Sequence, residues 1–300
     1  MKTNRLFMAF SAGKESTEGG EFKRYIGVAP VRVLAVNPTK SEQEKLYNTT
    51  LDKDPEYVGN VNVNGKDVQN VRISFVVKTD EEKCGIDMTT NVTFFLQNAP
   101  RMGSQSGKYQ IIDKYGRTAW ATEEDIKAKQ IPVYSNGKPA NIDADYRQAY
   151  VGEEELTNFI KNYLNIPNVQ AYVDGKWVLN TKVDPKDCEA RLENIEDYFK
   201  GNFKELNDII SYQPNNKVKV LFGVRTTDDN KQYQSVYTQM TLKNSVTDYS
   251  RLDADVQQRK EAGAYSTTCF EVCDLKEYTV EATTFEQSVN NSVSNEESPW

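Results

Sequence analysis

Two segments far apart in the chain alternate apolar and polar side chains residue by residue. In one, Val71, Ile73, Phe75 and Val77 share a face while Arg72, Ser74 and Lys78 fall on the other. In the second, Val218, Val220, Phe222 and Val224 point one way, with Lys217, Lys219 and Arg225 opposite. A period of two cannot be satisfied by a helix, so both segments are half-buried β-strands, the second with a basic outer face. Asn64-Gly65, just ahead of the first, is a hairpin turn signal. The same criteria place further strands at 25–28, 31–36, 92–96, 109–113, 233–240, 269–272 and 278–283.

Between these runs the period changes. Leu156, Phe159, Ile160, Tyr163 and Leu164 recur at three- and four-residue spacing, which predicts a helix from Gly152 to Pro167. Glu153, Glu154 and Glu155 in its first turn suit the helix dipole. Asp184-Pro185 opens a further helix with the stripe Leu192, Ile195 and Phe199, broken at Gly201 ahead of a second piece carrying Phe203, Leu206, Ile209 and Ile210. Shorter helices are predicted where Ser41 and Glu44 make a capping-box pattern and where Thr122 caps a turn running to Lys129. The order strands, helices, strands implies an α+β fold with a β-barrel or sandwich element on each side of a helical insert. The expected parts are an arm at 1–20, a β-rich region at 21–150, the helical insert at 151–212, a β-rich region completing the core at 213–284, and a tail at 285–300.

The chain contains no histidine, which removes the commonest general base, the commonest zinc ligand and every Ser-His or Cys-His nucleophile pair. Cys84, Cys188, Cys269 and Cys273 lack the Cys-x-x-Cys spacing of a zinc ribbon and are expected as buried free thiols. No phosphate-cradling glycine loop is present. Asp143, Asp145 and the run Glu153, Glu154, Glu155 are expected as solvated charge, not the ligands of a metal nuclease. These features predict a non-enzymatic protein without a cofactor or metal. With no long apolar run at the N-terminus, neither a signal peptide nor a membrane span is expected, and a cytoplasmic location follows.

Sequence-tolerant binding of a single nucleic-acid strand needs cations to follow phosphates and flat side chains on which bases stack. The net charge of −7 argues against whole-molecule attraction to DNA and leaves room for a local basic face. Candidates are Lys217, Lys219 and Arg225 with Tyr233 and Tyr237 on the adjoining strand, the interleaved segment Lys108, Tyr109, Lys114, Tyr115, Arg117 and Trp120, and the strand cations Arg32 and Arg72. The stretch from Phe285 is Ser/Asn-rich and without a basic residue, the composition of a tether, and it ends Glu296-Glu297-Ser298-Pro299-Trp300.

Basic and aromatic strand faces joined to an acidic, aromatic-tipped tail resemble the single-stranded-DNA-binding proteins of tailed bacteriophages. The tip differs in Trp300, which stands where that family usually has phenylalanine. The resemblance implies an OB-type β-barrel that binds single-stranded DNA during phage replication or recombination in the host cytoplasm. It also implies self-association through the arm at 1–20, and recruitment of replication and repair proteins through Glu296, Glu297, Pro299 and Trp300. The alternative is a virion structural or assembly protein, in which the apolar residues Leu6, Phe7, Met8 and Phe10 and the aromatic strands make subunit contacts.

Overall fold

The alternation at 71–77 and 218–224 builds neighbouring parts of one sheet, not two separate β elements. The computed structural model describes residues 22–103, 107–129, 145–226, 232–264, 270 and 279–283. The first half of the chain forms β1 (Phe22–Val36), α1 (Lys40–Tyr47), β2 (Val58–Val63), β3 (Lys66–Thr79), α2 (Glu81–Cys84), β4 (Thr89–Pro100), β5 (Tyr109–Asp113), β6 (Thr118–Ala121), α3 (Glu123–Ala128), β7 (Tyr146–Gln148) and β8 (Tyr150–Val151). The second half forms α4 (Glu153–Tyr163), β9 (Gln170–Val173), β10 (Lys176–Leu179), α5 (Ile195–Tyr198), α6 (Lys204–Tyr212), β11 (Val218–Thr226), β12 (Gln232–Lys243), α7 (Ser250–Glu261) and β13 (Thr279–Thr283). The fold is α+β.

An eight-stranded antiparallel sheet runs β12-β11-β1-β3-β4-β8, with β2 added to β3 and β13 to β1, and it curls into a half-barrel. β1 is its centre. Val31 pairs with Val218 of β11 on one side and with Thr79 of β3 on the other. The hairpin β2–β3 closes through Asn64 and Gly65, both at positive φ (51° and 82°), which is the backbone a type I′ turn demands. A second such hairpin, β9–β10, turns on Asp174 and Gly175. It lies within 151–212 and joins the helices expected there.

The inner face of the sheet buries Val71, Ile73, Phe75, Val77, Val92, Phe94, Val218, Val220 and Phe222. Against it pack Leu156, Phe159, Ile160 and Tyr163 of α4, Ile195 and Tyr198 of α5, and Leu206 and Ile210 of α6. Phe75, Phe94 and Phe159 meet in a triangle of rings with centroids 4.6 to 5.9 Å apart. Each fully buried ring contributes roughly 1.5–3 kcal/mol from the area removed from water.

The three glutamates that open α4 are all paired, and the first of them is buried instead of solvated. Glu153 is fully buried, taking both guanidinium arms of Arg147 (2.9 and 2.6 Å) and the Tyr150 backbone N–H (2.9 Å). Glu154 accepts from Gln110 (2.6 Å) and Thr118 (3.0 Å), and Glu155 pairs with Arg101 at 3.1 Å. They serve the helix dipole as expected, and they also tie α4 to Arg101, just past β4, and to the small sheet β6-β5-β7.

Three local expectations change. The first helix starts earlier, at Lys40, because Glu42 reaches back to the Thr39 N–H (2.7 Å) and hydroxyl (2.8 Å) in place of the Ser41–Glu44 pair. Asp184-Pro185 does cap a turn, with Asp184 accepting from the Lys186 N–H (2.9 Å), but it is a single 3₁₀ turn that stops at Cys188 because Glu189 is extended; α5 starts afresh at Ile195. Finally, α7 has no counterpart among the predicted elements.

Candidate nucleic-acid interface

Register on the outer face of the sheet brings cations into a row. Arg32 of β1 lies directly opposite Lys78 of β3, and Lys217 immediately precedes Val218, the partner of Val31, so it stands at the next place across the strands. Their neighbours Val31, Val33, Val77 and Val218 turn inward, which by the strand period forces these cations outward. Lys78 pairs with Asp87 (2.8 Å) and Lys217 with Asp80 (2.6 Å). Arg32 is exposed and, among the described residues, makes no ion pair or hydrogen bond. Like charges directly opposite one another cost stability; Asp87 and Asp80 relieve the two lysines, which leaves Arg32 as the cation of the row open to an external anion.

Beyond that row the basic face of β11 is covered. Lys219 is buried, its ammonium donating to the Val246 carbonyl (2.5 Å) and the Tyr249 hydroxyl (3.2 Å). Burial, and then the nearby Lys83, push its pKa below the ordinary lysine value. Tyr237 is buried beside Val28 and Leu221 under Leu252 and Val256 of α7, its ring 5.4 Å from that of Phe270. Its hydroxyl donates to Asp255, and burial followed by that contact raises its pKa. The expectation of an exposed Lys219–Tyr237 face is therefore corrected: α7 and the chain leading into it occupy it. Arg225 and Tyr233 pair across β11 and β12, and their side chains lie outside the described part of the structure.

The segment from Lys108 to Trp120 does not form one surface either. Asp113 is fully buried and accepts from the backbone N–H groups of Tyr115 (3.0 Å) and Arg117 (2.9 Å) and from the Arg117 guanidinium (2.8 Å). This closes the turn between β5 and β6, but Tyr115 points inward onto Val169 and Cys188, with the Lys114 and Arg117 cations each 5.2 Å from its ring centre. Its hydroxyl-bearing ring is core, not an exposed base platform. Tyr109 pairs with Ala121 and Trp120 with Gln110, so the two half-buried aromatics face opposite sides of the β5–β6 hairpin; Lys108, also half-buried, precedes Tyr109. Single residues along a strand alternate faces, and interleaving in sequence is separation in space.

At the middle of β3 stands a different cluster. The Arg72 guanidinium lies 5.2 Å above the Tyr57 ring and donates to the Glu56 carbonyl (3.1 Å). Burial lowers its pKa, opposed by Tyr57. Directly across from Arg72 is Phe95, 52% exposed. Tyr57 and Phe95 were absent from the sequence candidates. Phe95 was detectable: Val92, Phe94 and Leu96 fix the inward phase of β4, and Phe95 is the apolar residue out of phase.

Of the remaining expectations, Cys84 and Cys188 are buried free thiols, and burial pushes Cys84 up to about 11. Asp145 lies beside Arg191 (3.6 Å), while Asp143 is outside the described residues. So are Cys269 and Cys273, the strand at 269–272 apart from the buried Phe270, the arm at 1–20, and Glu296, Glu297, Pro299 and Trp300. Among the described residues no helix is long and apolar enough to cross a membrane. Comparison with protein-family models, curated proteins and solved structures finds no match for the chain.

Proposed function

We propose that this protein binds single-stranded DNA without catalysing a reaction, in phage DNA replication or recombination. The curled sheet serves as an OB-like barrel half, and the phosphate backbone lies across the row Arg32, Lys78 and Lys217. The observation that carries this reading is Arg32 itself, an exposed cation without an acidic partner among the described residues, set between two lysines on adjacent strands. The net charge of −7 does not oppose it, because screening confines repulsion to about 10 Å at 0.1 M salt. The tip Glu296, Glu297, Pro299 and Trp300 recruits partner proteins, and the arm at 1–20 supports self-association.

The test is titration of the intrinsic Tyr and Trp fluorescence with oligothymidylate over a salt series. Three phosphate contacts correspond to a slope of log affinity against log salt of roughly −2 for a single strand. Binding that is absent even at low salt refutes the proposal.

A second reading, a virion structural or assembly protein, is favoured by the apolar side chains Val173, Val178 and Leu179, which the β9–β10 hairpin leaves exposed. Presence of the protein in purified particles together with no affinity for DNA selects it.

A further inference from the structure

We propose that Phe95 is a stacking platform for a nucleobase, with Arg72 beside it to hold the adjoining phosphate, so that one DNA strand is held both at the middle of β3 and at its C-terminal end. The inference rests on the proposed DNA binding and adds to it a second contact of different chemistry.

Phe95 sits on β4, between β3 and β8 in the sheet order, where a large aromatic ring is ordinarily covered. Here it is 52% exposed, while its neighbours Phe94 and Leu96 are buried. On one flank is Arg72, directly opposite in the β3–β4 register, which places the two Cβ atoms about 4.5–5.5 Å apart. The Arg72 guanidinium is held by the Tyr57 ring at 5.2 Å and the Glu56 carbonyl at 3.1 Å, so its orientation is set before any ligand arrives. On the other flank is Gly152, packed so tightly against the Phe95 carbonyl that a Cβ there would lie 1.9 Å from the oxygen. No side chain projects from that position. The β3–β4 pairs on either side are uncharged and hydrogen-bonding, Asn70 with Gln97 and Ser74 with Thr93, while the carboxylates of Glu56 and Glu42 act on Arg72 and Tyr57 from the side away from Phe95's strand. A flat apolar ring, an oriented guanidinium and polar amides together match a nucleotide better than an apolar protein surface, since bases offer a π-face to the ring and a phosphate to the cation.

Arg72 and Lys78 are six residues apart on one face of β3, a separation of about 20 Å at the strand rise. α1 lies over the sheet between them, its Tyr47 hydroxyl donating to Asn91 (2.9 Å). Two contacts with the same strand, one for phosphates and one for a base, follow from that spacing.

The experiment compares binding of oligothymidylate and of an abasic deoxyribose-phosphate oligomer of equal length by the full chain and by its F95A, F95W and R32A variants. Phe95→Ala is expected to weaken oligothymidylate binding roughly fivefold to a hundredfold and to leave the abasic oligomer unaffected. Phe95→Trp retains affinity and adds a tryptophan signal quenched by the bases. Arg32→Ala weakens both ligands alike. Should F95A bind oligothymidylate as tightly as the unaltered protein while R32A is weakened, the platform is overturned and the basic row stands. Failure of the unaltered protein to bind either oligomer overturns both. Thermal melting of F95A, expected unchanged for an exposed ring, separates loss of stacking from loss of fold.

Discussion

Arg32 and Lys78 face each other across β1 and β3, two positive side chains in a directly opposed pair on the outer face of the sheet. Folding stability alone disfavours this pairing. Arg32→Thr, which keeps a strand-forming residue at the position, is therefore expected to raise stability by about 0.2–1 kcal/mol in urea unfolding. The same substitution is expected to reduce the salt slope of DNA binding by roughly 0.7. A variant that gains stability and loses salt-sensitive affinity together marks a residue kept for binding.

Gly152 and Gly65 both have positive φ, 86° and 82°, but only Gly152 has backbone against it. Gly65→Ala meets nothing within 4 Å and is expected to cost about 1–2 kcal/mol from the left-handed backbone alone. Gly152→Ala must also displace the Phe95 carbonyl and is expected to cost at least about 3 kcal/mol. Chemical denaturation of the two variants side by side checks the difference.

Breaking the Arg147–Glu153 pair is expected to be severe, because the carboxylate is fully buried and also anchors the Tyr150 N–H. Glu153→Ala leaves the guanidinium and that N–H without their acceptor, at about 3–5 kcal/mol. Arg101→Ala, at a pair that retains solvent contact, is expected to cost no more than about 1 kcal/mol. Equal effects would show that burial is not what sets the strength of these contacts.

Lys219 gives a pH signature. Its folded pKa is lowered by burial, so between that value and the ordinary 10.5 the unfolded chain binds more protons than the folded one. Stability then rises with pH in that window, and below it the cost of burying the ammonium is present in full. Lys219→Met removes this contribution. The stability of the variant relative to the natural protein is expected to fall as pH rises toward 10.5, followed by urea unfolding at a series of alkaline pH values.

Strands announced themselves wherever one face was dry and the other wet: Val71 to Val77 and Val218 to Phe222 are legible from period alone, as is the buried stripe Leu156, Phe159, Ile160 and Tyr163. Turns were legible where backbone sign dictates the residue, as at Asn64-Gly65. α7 was not, because of its residues only Leu252 and Val256 are buried, too narrow a stripe to stand out from a polar segment. That one omission misplaced the candidate site, since α7 covers Tyr237 and the chain leading into it, Val246 to Tyr249, covers Lys219. Tyr115 was misjudged for a different reason: a turn sequence fixes the backbone, and whether the side chain then points to solvent or into a gap beside Cys188 depends on residues far away in the chain.

The pairing of Val31 with both Thr79 and Val218 has a bearing on how the molecule comes into being. One neighbour of β1 is reached through a short excursion of chain; the other arrives only after nearly the whole core has been made. Such a long-range closure is slow, and until it occurs β1 offers an unpaired edge to any other extended chain. Because Lys217 immediately precedes β11, it too takes its place beside Arg32 only at that closure. A nascent or truncated chain lacking β11 is thus aggregation-prone and has an incomplete basic row, and both conditions end with the docking of a single strand.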